Sequence, residues 1–122
     1  MQKIFYVGLG GFIGAALRYI ISSKMVSDTI PWGTLLVNVI GGVLIGLIMQ
    51  LCLSTDYFSP NMKLFLTTGV LGGLTTFSTF SYETMSLFSS GDFKNGILNI
   101  CLNLVLCLGG VLLGQYAALK VI

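Results

Sequence analysis

Histidine is absent from this 122-residue chain, proline occurs twice, and only four acidic and six basic residues are present. Without His there is no imidazole to serve as base beside a nucleophile. No metal-ligand cluster and no phosphate-cradling loop stands elsewhere in the chain. The run Gly10-Gly11-x-x-Gly14 lacks the preceding strand that a dinucleotide site requires. These absences argue against an enzyme. A net charge of +2 is too small and too scattered to hold nucleic acid. The three cysteines, Cys52, Cys101 and Cys107, sit in or at the end of apolar runs at no metal spacing. An odd set so placed is a poor disulfide framework, and each reads as a small apolar filler. Charged residues make up 8% of the chain and apolar residues 55%. Charge that scarce excludes a water-soluble domain of this size.

What remains is hydrophobic length. Four apolar runs of about 20 residues can each cross a hydrocarbon layer about 30 Å thick. The chain therefore reads as one all-α transmembrane domain, residues 1–122, with helices over about 4–22, 33–53, 63–88 and 95–119. The first run has a basic residue at Lys3, as a signal peptide does. It continues through Arg18 toward a second hydrophobic run, so it reads as a retained helix. Three G-x-x-x-G pairs, Gly10/Gly14, Gly42/Gly46 and Gly110/Gly114, predict faces where helix backbones approach closely. Pro31 suits a helix start. Asn38 is an amide inside the second run that must face protein or water. Asn95, Asn99, Asn103 and Cys107 recur at i, i+4 and so share one stripe of the fourth helix. Arg18 either snorkels to the headgroups or faces a watery vestibule.

The basic residues divide evenly. Lys3, Lys63 and Lys120 fall on one side of the membrane, and Arg18, Lys24 and Lys94 on the other. Such balance gives no positive-inside bias, which predicts insertion in both orientations and head-to-tail pairing. Four short spans also enclose little space alone, which again predicts an oligomer.

The stretch Gly69 to Glu83 is the part least suited to a plain lipid-facing helix. Gly72-Gly73 loosen the backbone, and Thr75, Thr76, Ser78, Thr79 and Ser81 bring hydroxyls that compete for helical hydrogen bonds. A break of the third helix is predicted near Gly72–Ser78. Irregular backbone at that depth needs protein or a watery cavity over it. Phe77 and Phe80 lie three apart on nearly one face. Their positive ring edges, with hydroxyls and the amides of Asn38 and Asn103, can solvate a small anion. Glu83 then either sits in water, or is held by Thr34, Ser78 and Thr79, or is protonated. Freed carbonyls at Gly72 and Thr75 are candidates for a cation.

Gly72-Gly73-Leu-Thr75-Thr76-Phe77-Ser78-Thr79-Phe80-Ser81, with Pro31-Trp-Gly33-Thr34-Leu-x-x-Asn38 and Gly14-x-x-x-Arg18-Tyr19, resembles the small fluoride channels called Fluc or CrcB. The resemblance runs the length of the chain. It implies an antiparallel, dual-topology homodimer in the plasma membrane, with two fluoride pores and a central sodium ion. By position it assigns sodium to the carbonyls of Gly72 and Thr75, and the pore ring edges to Phe77 and Phe80. Asn38 becomes the supporting asparagine. Thr34, Ser78, Thr79 and Glu83 become a polar track, and Arg18 a vestibule residue. On helix four, Asn99, Asn103 and Cys107 stand where the family carries varied polar side chains. The implied activity is passive fluoride efflux. Two rivals are a proton-coupled multidrug exporter with four helices, which needs a carboxylate deep in a helix, and a non-transporting scaffold.

Overall fold

The computed structural model describes residues 1–122 and contains helices only. Helix α1 (Gln2–Ser23) and helix α2 (Trp32–Ser54) each cross a membrane by length and composition. The third crossing is assembled from pieces. Helix α3 (Pro60–Leu64) passes into a π-helical segment (Phe65–Leu71) and a single turn, α4 (Gly72–Leu74). Thr75 and Thr76 are extended, and helix α5 (Phe77–Ser89) follows. Helix α6 (Phe93–Val121) makes the fourth crossing.

Local chemistry sets the ends. Ser59 caps α3 by accepting from the Met62 amide at 3.2 Å. Pro60 fits the first turn, so this span begins at Pro60, earlier than Lys63. Asp92 caps α6 by accepting from the Asn95 amide at 3.2 Å. That helix therefore starts at Phe93. Between α5 and α6 the chain reverses through Gly91, whose φ is 85°. Glycine alone adopts that conformation without steric cost.

Two glycine seams hold the crossings together. Gly10 and Gly14 of α1 meet Gly69 and Val70 of the third span, where a Cβ on Gly10 would lie 2.9 Å from the Gly69 Cα. Gly42 and Gly46 of α2 meet the carbonyls of Cys107 and Val111 on α6, and Gly114 meets that of Val43. All three predicted glycine pairs are thus used for backbone contact. In a membrane, where apolar solvent removes the hydrophobic drive between helices, such close packing supplies the attraction.

Only 22 of 122 residues are buried, and the apolar core proper is Val37, Leu71 and Leu74. Phe12, Leu108 and Leu112 point outward instead. A soluble protein of this size could not expose so much apolar surface. The chain is a multi-pass membrane protein.

Candidate functional site

The break in the third span is built by one side chain from another helix. Thr75 ends the preceding turn, its amide and hydroxyl both donating to the Leu71 carbonyl, at 3.0 and 2.9 Å. At Thr76 the chain leaves the helix (φ −152°, ψ 118°). Its amide donates to Asn38 Oδ1 at 2.8 Å, and its carbonyl accepts from Asn38 Nδ2 at 3.2 Å. The Asn38 amide therefore does for Thr76 what a neighbouring strand would do. Without it, two backbone groups would be unpaired at membrane depth, at a cost of several kcal/mol.

Thr76 also starts the next helix. Its hydroxyl accepts from the Thr79 amide at 3.1 Å and donates to the Thr79 hydroxyl at 3.1 Å, and Ser78 Oγ lies 3.3 Å away. With the Thr76 proton on Thr79, the Ser78 hydroxyl donates to Thr76 and the Thr79 hydroxyl proton is left free. Small side chains let α2 reach the break: a Cβ on Gly41 would overlap the Thr75 methyl group.

Behind Asn38 lies a run of amides. Asn38 Nδ2 donates to Asn103 Oδ1 at 3.1 Å. Asn103 Nδ2 donates to the Asn99 carbonyl at 3.0 Å and to Asn99 Oδ1 at 3.1 Å. Asn99 Nδ2 donates to the Thr84 hydroxyl at 2.9 Å, which donates to the Phe80 carbonyl at 2.8 Å. Each amide nitrogen carries two hydrogens, so both Asn38 and Asn103 have theirs committed within the chain. Both side chains nonetheless line the groove in front of the break. As arranged, they shape the break, and the free donor beside it is the Thr79 hydroxyl.

A groove of about 430 Å³ opens in front of the break, lined by Asn38, Gly72, Thr75, Thr76, Phe77, Phe80, Asn103 and Cys107. The two phenyl rings are 5.5 Å apart between centroids and tilted by 51°. Phe80 is buried, at 8% exposure, while Phe77 stands out at 77%. One ring is thus a fixed wall and the other projects from the chain. Thr34 and Glu83 lie apart from this groove, beside a second cavity of about 220 Å³ closed by Ser22, Ser27 and Pro31. Thr34 Oγ1 donates to Glu83 Oε1 at 2.8 Å, whereas Oε2 is buried without a partner in the chain. The carboxylate takes its hydroxyl from Thr34, and neither Ser78 nor Thr79 reaches it. Arg18 is half-buried on α1 and lines neither cavity.

Three participants escaped the sequence reading: Thr76 as the clamped residue and helix cap, Thr84 as the end of the amide run, and Gly41 under the break. Thr76 carries a legible signal, a hydroxyl three residues before Thr79 at a helix start. Thr84 carries none.

Comparison with known proteins adds the lineage. The family described as CrcB-like protein, Camphor Resistance (CrcB), matches residues 5–115. A Clostridium novyi (strain NT) protein named "Fluoride-specific ion channel FluC" is 56% identical, covering 89% of this chain and 88% of its own length. Proteins of the same name from Clostridium perfringens (strain 13 / Type A) and Geobacter sulfurreducens are 52% and 45% identical, each covering 97% of this chain. With residues 5–115 matched and more than half of the aligned residues identical to a bacterial relative, the chain belongs to the CrcB family.

Proposed function

We propose that the chain is a fluoride-selective channel that lets the anion leave the cell passively and electrogenically. The observation that carries this reading is the clamped break of the third span, facing a groove walled by Phe77 and Phe80. The names of the relatives supply the anion. Fluoride is the smallest halide and holds water most tightly, so a pathway must offer close, rigid donors in exchange. The edge of the buried Phe80 ring is of that kind, and the free Thr79 hydroxyl stands next to the break, outside the lining of the groove. Chloride is larger and gains less from so tight a set. A membrane potential of about 100 mV, negative inside, drives each anion outward with about 2.3 kcal/mol. No other energy source is required.

The working unit in this reading is an antiparallel homodimer with two pores. It is supported by the even division of basic residues and by the exposed Phe77 ring and Gly72, which lie on a face that a second copy would cover. The break also fits a sodium ion. The Thr76 amide goes to Asn38 and the Thr79 amide to the Thr76 hydroxyl. The carbonyls of Gly72 and Thr75, four residues back in each case, therefore lose their helical donors. These two oxygens from each chain would hold the cation, as freed carbonyls do in broken transporter helices. Bound there, sodium would supply positive charge to offset these carbonyl oxygens.

An exporter is not favoured, because Glu83 is the only acidic residue within a helix, and one of its oxygens is bonded to Thr34. The test is fluoride efflux from liposomes loaded with potassium fluoride, read with a fluoride electrode. Efflux that starts on adding valinomycin, without a proton gradient, is the expected result. Efflux that needs a proton gradient, or none at all, would overturn the reading.

A further inference from the structure

The amide run begins and ends on backbone groups of the third span, and its two ends decide its direction. One end is the Phe80 carbonyl, which can only accept, and the other is the Thr76 amide, which can only donate. With the Thr84 proton on that carbonyl, as the geometry places it, Thr84 Oγ1 presents only lone pairs to Asn99. Asn99 must therefore turn its NH₂ toward Thr84 and its oxygen toward Asn103. Asn103 turns its NH₂ toward Asn99, both its side-chain oxygen and its backbone carbonyl, and its oxygen toward Asn38. Asn38 is left with its oxygen on the Thr76 amide. No link can reverse without placing oxygen against oxygen or N–H against N–H. Asn99 is fully buried, at 0% exposure, and lines neither cavity, so water cannot substitute for a broken link there.

We propose that Thr84 and Asn99 are positioning residues for conduction: together they orient the Asn103 and Asn38 amides and so hold the break in its conducting form. Thr84 does not itself line the groove; it reaches the break through the relay, and its other contact is the carbonyl of Phe80, whose ring walls the groove. The proposal rests on the channel reading above, but its spectroscopic arm does not. Thr84→Val keeps the shape and removes the hydroxyl. Thr84→Ser keeps the hydroxyl. The double variant Thr84→Val/Asn99→Leu removes both partners and leaves no orphaned amide at position 99.

The experiment combines fluoride flux in liposomes with side-chain amide resonances of ¹⁵N-asparagine-labelled protein. The expected result is that Thr84→Val shifts the Asn103 and Asn38 side-chain signals and lowers flux about tenfold, the population factor carried by one lost hydrogen bond. Thr84→Ser should keep wild-type signals and flux. The double variant should conduct as poorly as Thr84→Val, and it decides the matter if the single variant fails to fold. A Thr84→Val protein with an unchanged Asn38 signal, or with wild-type flux, would overturn the proposal. Recovery of flux in the double variant would do the same, since the defect would then be one orphaned amide rather than lost orientation. A wild-type protein that carries no fluoride would sink the channel reading, while the Asn38 signal would still report on the relay.

Discussion

Replacing Asn38 by aspartate alters the clamp without altering its shape. Asn38 accepts once, from the Thr76 amide at 2.8 Å, and donates twice, to the Thr76 carbonyl at 3.2 Å and to Asn103 Oδ1 at 3.1 Å. Asn38→Asp preserves the accepted bond and removes both donors. It leaves two buried oxygens, one on Thr76 and one on Asn103, facing a carboxylate. A buried acceptor stripped of its donor costs about 1–3 kcal/mol, so the pair costs about 2–6 kcal/mol before any repulsion is counted. The lower figure alone moves a two-state population about 30-fold. The expected outcome is a fall in fluoride flux of about 30-fold or more, with a lower unfolding temperature in detergent. Asn38→Leu, which also orphans the Thr76 amide, should fall further in both. Flux within about twofold of wild type in Asn38→Asp would refute the claim that this side chain holds the break.

Phe80→Ile keeps the ring position filled but removes the aromatic edge, so it should abolish fluoride flux while the protein elutes as wild type; preserved flux would remove the ring from the pathway. Gly14→Ala and Gly114→Ala each drive a methyl group into a backbone carbonyl, of Val70 and Val43. Each should destabilise the fold by about 1–3 kcal/mol. Gly109→Ala meets nothing within 4 Å and should be silent, a contrast that thermal unfolding in detergent can read. Two lysines added to the loop between α2 and α3 should bias insertion to one orientation and lower activity; full activity after proven reorientation would contradict head-to-tail pairing. Exchanging sodium for a bulky organic cation should weaken the dimer, measured by subunit exchange, if the Gly72 and Thr75 carbonyls hold the ion.

The helical fold and its seams were legible because their signals are local. Gly10/Gly14, Gly42/Gly46 and Gly110/Gly114 announce close backbone approach by spacing alone, and each one is so used. The break was legible in region but not in mechanism. The glycines mark the region, yet Gly72 stays helical (φ −63°, ψ −35°), and Gly73 is kept small by the Gly11 carbonyl. The chain opens two residues later, at Thr75 and Thr76, because Asn38 offers Thr76 a better partner than the helix does. That pairing joins residues 38 apart in sequence, and no periodicity reports it. Asn99 and Asn103 could be placed on one stripe, but spacing does not show that Asn99 turns its NH₂ to Thr84 while Asn103 turns its own to the Asn99 backbone. In sequence Thr84 looks like Thr67 and Ser81, whose hydroxyls merely bond back to the carbonyl four residues earlier. The π-helical segment over Phe65–Leu71 had no visible signal at all.

The relative permeability of fluoride and chloride through the purified wild-type protein tests the central claim most directly. Reversal potentials in opposed fluoride and chloride gradients give that ratio in one recording. Phenyl edges, that of Phe80 held fixed, beside a clamped break predict current carried by fluoride with chloride nearly excluded. Equal passage of the two ions would contradict it.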